Sequence, residues 1–362
     1  MGRHGKPQAG NTHGMFSGAS HRALVDGEMQ GWWPALQRGC LWTASVPYAW
    51  VARLRNRLYD IGWKRCYHAP VPVVSVGNLT LGGTGKTPCV EYVAGFFYRQ
   101  NRRVAILSRG YGRCAGANDE ARVLHENLPE IPHLQGPNRV SLAVEAIKNL
   151  SSDILVLDDG FQHRRLARDL DVVLVDATDR WDDHLFPRGL LREPYAELRR
   201  AGIVILTRAN QVACQVRDRL KRAIAHYAPM VPIVEADHCP VHLINCEGKI
   251  APLECLHQKP VAAFCGIGNP NAFRKTITDL GATAIDFKAF SDHHPYSSRD
   301  LHDLNVWARQ QNSDAIILTT QKDLVKLRYR HLGGKPLWSL RIRLHFREGQ
   351  GVFDQKLLSV MR

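Results

Sequence analysis

The sequence predicts an α/β protein in which a parallel sheet carries helices on both faces. Short β-branched runs alternate with longer amphipathic stretches, and strands that are apolar throughout are typical of a sheet buried on both sides. The chain has 362 residues, which is enough for two or three domains. A hydrophobic fraction of 44% and a charged fraction of 23% exclude a disordered chain and a multi-span membrane protein.

The net charge of +14 results from 48 Lys and Arg residues against 34 Asp and Glu residues. An excess of this size predicts an anionic partner, such as nucleic acid, phospholipid or a phosphorylated substrate. The nine cysteines form no CxxC pair, which argues against a zinc site or a disulfide framework and favours a reducing compartment. We expect neither a signal peptide nor a membrane-spanning helix, because no apolar run is long enough.

The N-terminal part of the chain divides into a tail and a tryptophan-rich segment. Residues 1–30 are predicted to be a flexible tail, because they are rich in Gly, His, Ser and Asn. Residues 31–66 contain five of the eight tryptophans, and from Trp50 onward apolar residues recur on one helical face while Arg53 and Arg57 fall on the other. Such a helix can lie on an anionic membrane surface or pack against the protein's own core, and the tryptophan density favours the membrane.

The alternation of strands and helices predicts two α/β domains after this segment. The larger spans residues 67–230, a connector interrupted by Pro and Gly spans 231–258, and the smaller spans 259–362. The runs that predict strands in the larger domain are 71–77, 104–109, 153–158, 171–176 and 203–207. The smaller domain is predicted to contain strands at 261–266 and 315–320 and helices near 270–280, near 298–311 and from Lys322.

A glycine-rich loop follows the first predicted strand directly and precedes a stretch that is compatible with a helix. Its backbone amides, the amino group of Lys86 and the dipole of the next helix suit the phosphates of a nucleoside triphosphate. The strict motif has glycine where this chain has Thr80. The predicted nucleotide-binding residues are Thr80, Leu81, Gly82, Gly83, Thr84, Gly85, Lys86 and Thr87. The predicted fold class is therefore a P-loop NTPase-type parallel sheet with a second, smaller α/β domain.

Two adjacent carboxylates follow the predicted strand at 153–158. Asp158 and Asp159 stand where a P-loop protein places a carboxylate that holds Mg²⁺, and the hydroxyl of Thr87 is a further ligand. Two carboxylates directly after an apolar strand are costly without a cation. This cost favours a metal-binding role over a turn-capping role.

The phosphate loop and several later motifs resemble, in the same order, those of the tetraacyldisaccharide 4′-kinase family over about residues 31–330. The first motif runs from Val76 to Pro88, and its Asn-Leu-Thr lead into the glycines accounts for Thr80. The others are Ser108–Gly112, Asp158–His163, Leu166–Asp169, Leu191–Pro194, Gly266–Gly268, Asp292–His293 and Lys322–Asp323.

The resemblance implies an enzyme that uses ATP and Mg²⁺ to phosphorylate the 4′-hydroxyl of a tetraacyl glucosamine disaccharide 1-phosphate, which gives lipid IVA for lipid A. It also implies two α/β lobes joined by a β-ribbon, with residues 67–230 as the kinase domain. Such enzymes are peripheral proteins of the cytoplasmic face of the inner membrane. The expected partners are the lipid disaccharide 1-phosphate and an anionic membrane surface, without nucleic acid or an obligatory protein partner.

The resemblance further implies that an Asp–His pair, Asp119 with His293, accepts the proton of the acceptor hydroxyl. An Asp alone is a weak base at neutral pH, and a neighbouring His can orient it and share the proton. Because the two residues lie in different predicted lobes, lobe closure would complete the pair. Glu120 is the alternative to Asp119, and a role in a surface loop is the alternative for His293.

The motif Leu191–Pro194 supplies two more candidate residues. Arg192, with Lys86, is expected to neutralise charge on the transferred phosphoryl group, and an ordinary ion pair at a helix start is its alternative. Glu193 is expected to bind Mg²⁺ or to hold Arg192.

The main alternative function is that of a P-loop GTPase or metallochaperone. Such a protein usually reads guanine with an Asn-Lys-x-Asp motif, whereas Lys322 and Asp323 are adjacent in this chain. A nucleic-acid-dependent ATPase is suggested by the charge alone, without a supporting motif. An inactive lipid-binding scaffold conflicts with the presence of Lys86, Thr87 and the two aspartates.

Overall fold

The computed structural model describes residue 21 and residues 24–25, 27–110, 118–181 and 184–361. Most of the predicted tail at 1–30 lies outside the described residues, as do Tyr111 and Gly112 of the second motif. The described chain forms two α/β lobes that share one sheet.

Helix α1 (Trp32–Asp60) precedes both lobes and lies within residues 31–66, the segment for which an amphipathic helix is predicted. Its buried residues are small or polar, namely Ser45, Ala49, Ala52 and Asn56. Its large apolar residues face solvent, and Trp42, Trp50 and Leu54 are 57%, 70% and 59% exposed. The alternative that the apolar face packs against the protein's own core is therefore wrong, because the small and polar face packs there instead.

The first lobe is a parallel sheet with helices on both faces, as the sequence predicts. Its strands are β1 (Val73–Asn78), β2 (Val104–Ser108), β3 (His133–Gln135), β4 (Ile154–Asp158), β5 (Leu170–Asp176) and β6 (Ile203–Thr207). Its helices are α2 (Lys86–Arg99), α3 (Asp119–Asn127), α4 (Arg139–Asn149) and α5 (Cys214–Tyr227). Strand β1 lies between β4 and β5 and is buried along its whole length, which explains why three of its six residues are valines.

The second lobe repeats this arrangement on a smaller scale. The remaining strands are β7 (Ile233–Ile244), β8 (Ile250–Ala251), β9 (Pro260–Cys265), β10 (Ala284–Ala289), β11 (Ile316–Thr320), β12 (His331–Leu332) and β13 (Lys335–Glu348). The remaining helices are α6 (Pro270–Asp279), α7 (Ser298–Gln310), α8 (Gln321–Leu327) and α9 (Gln350–Ser359). Apolar clusters around Phe264 and Phe273 form the core of this lobe.

A long antiparallel ribbon of β7 and β13 joins the lobes. The start of β7 pairs with β6, and the start of β13 pairs in parallel with β11. The sheet order is β10-β9-β11-β13-β7-β6-β5-β1-β4-β2-β3, so both lobes belong to one continuous sheet. The implied β-ribbon is present, and its first strand, of 12 residues, lies in the segment 231–258 that is predicted as the linker.

The C-terminal end of the chain returns to the first lobe. Four of its side chains share the apolar core around β1, namely Leu344, Phe346, Phe353 and Leu357. We therefore propose that residues 344–361 belong to the first lobe, in place of a second domain that runs unbroken from 259 to 362. Within the described part of the chain, no helix combines the length and the apolar character needed to span a bilayer.

Candidate active site

A cleft of about 760 Å³ lies between the two lobes. Its walls are the segments that follow β1, β4 and β6 in the first lobe and β9 and β11 in the second. Ligands of parallel α/β sheets bind at the carboxyl ends of the strands, and the cleft lies at these ends in both lobes.

The phosphate loop connects β1 to α2, and its residues Leu81–Thr87 line the cleft. Helix α2 begins at Lys86, so the positive end of its dipole lies at the loop, as the motif predicts. Gly85 has a φ of 86°, a left-handed conformation that favours glycine. Thr80 differs from the prediction, because it forms an antiparallel bridge with Leu191 and is not part of the cleft wall.

Two residues at the end of β6 hold the phosphate loop from behind. Arg208 Nη2 donates to the carbonyl oxygen of Gly83 at 2.8 Å, and Thr207 Oγ1 donates to that of Thr84 at 3.0 Å. The Arg208 guanidinium also pairs with Asp176 at the end of β5. Neither residue belongs to a predicted motif, and the only signal in the sequence is their position at the end of an apolar strand, Thr207 as its last residue and Arg208 directly after it.

Lys86 and Arg192 converge on Asp159. The Nζ of Lys86 lies 3.5 Å from a carboxylate oxygen of Asp159 and 3.3 Å from Asn78 Oδ1. Arg192 Nη1 donates to both oxygens of Asp159, at 2.8 and 3.0 Å. Burial opposes the ionised form of Asp159, but Lys86 and Arg192 outweigh burial and lower its pKa to about 2. The structure thus brings together three of the predicted site residues.

Asp158 is the last residue of β4 and is 3% exposed. Its Oδ1 atom has no hydrogen-bond partner among the described residues. Burial, with the charges of Glu120 and Asp159, raises the pKa of Asp158 to about 7. An unpartnered carboxylate oxygen beside a phosphate loop fits Mg²⁺, which prefers oxygen ligands. The described ranges contain no cluster of three His, Cys, Asp or Glu side chains that could hold a metal ion.

Asp119 and His293 come from different lobes and meet at the cleft. Asp119 is the first residue of α3, and Asn118 caps that helix by accepting a hydrogen bond from the Ala121 amide. His293 Nδ1 lies 2.9 and 3.1 Å from the two carboxylate oxygens of Asp119. Burial opposes ionisation of Asp119, but His293 and Lys326 hold its pKa well below the usual range. The same hydrogen bond raises the pKa of His293.

Glu120, the alternative base, is paired with a different cation. The Oε1 atom of Glu120 lies 2.6 Å from Lys322 Nζ. Burial opposes ionisation of Glu120, but the charge of Lys322 outweighs burial and lowers the pKa of Glu120. His294, the neighbour of His293, is bonded within the second lobe. The geometry therefore favours Asp119 over Glu120 as the partner of His293.

Glu193 lies behind the cleft, in contrast to its predicted role as a metal ligand. It is 1% exposed, and its Oε2 atom accepts a hydrogen bond from Arg200 Nη2 at 2.7 Å. Its Oε1 atom accepts one from Asn56 Nδ2 at 3.1 Å. Because both oxygens are occupied by these side chains, the assignment of Glu193 to Mg²⁺ is corrected, and its carboxylate ties α1 to the segment that carries Arg192.

The two lobes touch directly over the phosphate loop. A Cβ atom on Gly268 would lie 2.7 Å from the backbone nitrogen of Gly83, so the contact requires glycine. Beside it, Asn269 Nδ2 donates to Thr178 Oγ1 of the first lobe at 3.0 Å. The lobes are therefore closed on each other in this structure, and this closure completes the pair of Asp119 and His293.

These features define a P-loop phosphotransferase. The phosphate loop lines the cleft at the N-terminus of α2, Asp158 has a buried carboxylate oxygen without a partner among the described residues, and the Asp119–His293 pair faces the same cleft.

Comparisons with known proteins specify the family. The profile of the family described as tetraacyldisaccharide-1-P 4′-kinase, LpxK, matches residues 37–362. The chain is 41% identical to the tetraacyldisaccharide 4′-kinase of Anaeromyxobacter sp. strain Fw109-5, over 84% of this chain and 87% of that protein. It is 37% identical to the enzyme of the same name from Syntrophus aciditrophicus, over 85% of this chain and 89% of that protein.

A solved structure agrees with the sequence comparisons. The crystal structure of the "apo" form of LpxK from Aquifex aeolicus in complex with ATP matches with a TM-score of 0.70 and 30% identity, over 90% of this chain and 100% of that chain. The chain belongs to the tetraacyldisaccharide 4′-kinase family. The resemblance carried by the motifs is thereby confirmed, together with an α/β fold and an ATP-dependent kinase activity, and the GTPase alternative is not favoured.

Proposed function

We propose that the chain transfers the γ-phosphoryl group of ATP to the 4′-hydroxyl of a tetraacyl glucosamine disaccharide 1-phosphate, which yields lipid IVA in the synthesis of lipid A. The observation that carries this proposal is the pair of Asp119 and His293, which faces the same cleft as the phosphate loop in a member of this kinase family. Phosphoryl transfer to an alcohol needs a group that accepts the hydroxyl proton, and the pair supplies it.

The phosphate loop binds the triphosphate of ATP. Its backbone amides and the N-terminus of α2 attract phosphate oxygens, and Lys86 at the first position of that helix contacts the terminal phosphates. Arg192 leaves Asp159 and neutralises the charge that develops on the transferred group. These residues act through position and charge, because phosphoryl transfer requires little covalent chemistry from the protein.

The residues that would hold Mg²⁺ are Thr87, Asp158 and Asp159, together with oxygens of the nucleotide. When bound, the cation neutralises phosphate charge and orients the terminal phosphoryl group. Because the pKa of Asp158 is about 7, its buried carboxylate can be neutral without a cation and ionised with one at the same pH.

The chemical step exchanges one phosphorus–oxygen bond for another. The 4′-oxygen of the acceptor bonds to the γ-phosphorus while the bond to the bridging oxygen of the β-phosphate breaks, which leaves ADP. The hydroxyl proton passes to the pair of Asp119 and His293. Asp119 alone is a weak base because its pKa is held low, and His293, whose pKa the same contact raises, shares the proton.

Helix α1 provides a surface on which a lipid acceptor can be presented. Its outward tryptophans, with the exposed side chains of Arg53 and Arg57, suit the interface of an anionic bilayer. An acceptor with four acyl chains and a phosphate group is held at the same interface. We therefore propose a peripheral enzyme at the cytoplasmic face of the inner membrane, with the lipid 1-phosphate and the anionic surface as its partners.

The test is a kinase assay with purified protein, γ-labelled ATP, Mg²⁺ and the disaccharide 1-phosphate in detergent micelles. We expect labelled lipid from the wild type and a loss of at least about a hundredfold in rate for Lys86→Ala, Asp119→Ala and His293→Ala. His302→Ala removes an exposed histidine outside the cleft and should keep the wild-type rate. Absence of transfer to the lipid, or faster turnover with GTP than with ATP, would overturn the proposal.

A further inference from the structure

The buried face of α1 contacts the segment that carries Arg192. Asn56 is 1% exposed, and its Nδ2 atom donates to Glu193 Oε1 at 3.1 Å. Two helical turns earlier, the hydroxyl of Tyr48 donates to the carbonyl oxygen of Arg192 at 2.9 Å. Ala52 lies buried between them and has no side chain long enough to separate the two surfaces. The helix is therefore bonded to both residue 192 and residue 193.

The opposite side of the same segment is bonded to the phosphate loop. The backbone amide of Arg192 donates to the carbonyl oxygen of Leu79, the first residue of the loop after β1, at 2.7 Å. The Arg192 side chain in turn contacts Asp159 in the cleft. Residues 192–193 thus lie between a helix whose outer face is apolar and a loop that binds phosphate.

We propose that Asn56 is a positioning residue that holds Glu193 and, through it, the backbone of Arg192. Binding of α1 to a bilayer then orients Arg192 for phosphoryl transfer. The inference rests on the proposed kinase function and adds a link between membrane contact and catalysis. The physical reason is that a buried carboxylate bound by an amide resists separation, because a lost hydrogen bond inside the protein is not replaced by water. Any shift of α1 is therefore transmitted to residues 192–193.

Two variants of Asn56 separate positioning from packing. Asn56→Leu keeps a similar volume and removes the donor, and Asn56→Asp keeps the shape and replaces the donor with an acceptor. With the lipid acceptor in vesicles of phosphatidylethanolamine and phosphatidylglycerol, we expect kcat to fall about tenfold for Asn56→Leu and further for Asn56→Asp. The KM for ATP and the fraction of protein that sediments with the vesicles should stay within about twofold of the wild type.

Ser45→Ala is the matched control, because Ser45 lies on the same buried face and its hydroxyl bonds only to Trp42 O of its own helix among the hydrogen bonds of the described residues. This variant should keep the wild-type kcat. If Ser45→Ala and Asn56→Leu lowered kcat equally, any disturbance of the buried face of α1 would explain the loss, and the role of Asn56 would be purely structural. The same conclusion would follow if vesicle binding and thermal stability of Asn56→Leu changed in parallel with its rate.

Hydrogen exchange gives a readout that does not depend on turnover. The amide of Arg192 should exchange more slowly when the same vesicles are added to the wild type, and this protection should be absent in Asn56→Leu. Equal protection in both proteins, or an unchanged kcat in Asn56→Leu, would overturn the inference. If the wild type bound vesicles but did not phosphorylate the lipid, the proposed function would be wrong. The exchange experiment would still show whether α1 and Arg192 are coupled.

Discussion

Replacement of Asp158 by its neutral isostere, Asp158→Asn, should abolish turnover and yet stabilise the fold when no metal is present. Asp158 is 3% exposed, its Oδ1 atom has no partner among the described residues, and Glu120 and Asp159 add negative charge nearby. An ionised carboxylate in such a place opposes folding. The amide of asparagine has the same shape without the charge. The substitution therefore removes the cost of a buried charge to folding, and it also removes the carboxylate proposed to bind the metal.

The magnitude follows from the pKa of Asp158, which is about 7 in the folded protein against 3.8 for an ordinary aspartate. Between these values the unfolded chain has lost its proton and the folded protein keeps it, so the free energy of unfolding falls as the pH rises. Above a pH of about 7 both states are ionised and the full penalty is present. The difference sets an upper limit of about 4 kcal/mol, at about 1.36 kcal/mol for each pKa unit.

Urea unfolding of the wild type and Asp158→Asn at about pH 5 and about pH 8 measures this difference. We expect the variant to be more stable than the wild type at the higher pH and to lose most of that advantage at the lower pH. Added Mg²⁺ and ATP should then stabilise the wild type far more than the variant, which lacks the ligand carboxylate. An identical pH dependence in the two proteins would refute the reasoning, because Asp158 would then titrate alike in the folded and unfolded chains.

Four further outcomes are expected. Asp119→Asn should lower kcat by roughly 10²- to 10⁴-fold with little change in the KM for ATP, and an unchanged initial rate would move the base to Glu120. Gly268→Ala should lower kcat about tenfold, because its Cβ would lie 2.7 Å from a backbone nitrogen of the phosphate loop and hold the lobes apart; X-ray scattering should show a more open molecule. Trp50→Ser removes a 70% exposed indole and should weaken sedimentation with anionic vesicles about tenfold, whereas equal sedimentation would contradict an interfacial role. Asp159→Asn frees two cations and should bind ATP without Mg²⁺ more tightly than the wild type does; calorimetry that shows weaker binding would contradict the pairing.

Much of the fold could be predicted from local patterns, and the ribbon shows where those patterns end. The apolar runs of the first lobe predict its long strands correctly, because a strand buried on both faces is apolar throughout. Pro232 and Pro240 interrupt the alternation of strands and helices and predict only a connector where β7 lies, and the β-ribbon is implied by the family resemblance. Pro240 is accommodated beside an irregularity in the pairing with β13. The partner strand β13 is far from β7 in the sequence, so no local pattern predicts that the two strands pair.

The site divides in a similar way. Lys86, Asp159 and His293 could be placed from motifs, because each follows a strand or a turn whose residues are distinctive in sequence. Arg208 could not, since a lone basic residue after a strand is common and its contact with the phosphate loop depends on strand order. The metal role predicted for Glu193 was wrong for a related reason: its partner Asn56 lies on α1, and only the three-dimensional packing directs the carboxylate away from the cleft.

The charges that line the cleft explain why closure and chemistry are linked. Asp119 and Glu120 begin α3 of the first lobe, and the second lobe supplies their partners His293, Lys322 and Lys326. These ion pairs close the lobes, and they are partly buried, so they are screened less than surface pairs. The triphosphate brings negative charge into the same cleft and competes for the same cations. On the proposed function, these contacts between the lobes also assemble the proton acceptor, because Asp119 and His293 come from different lobes. We therefore expect an open molecule to bind phosphate without a completed proton acceptor.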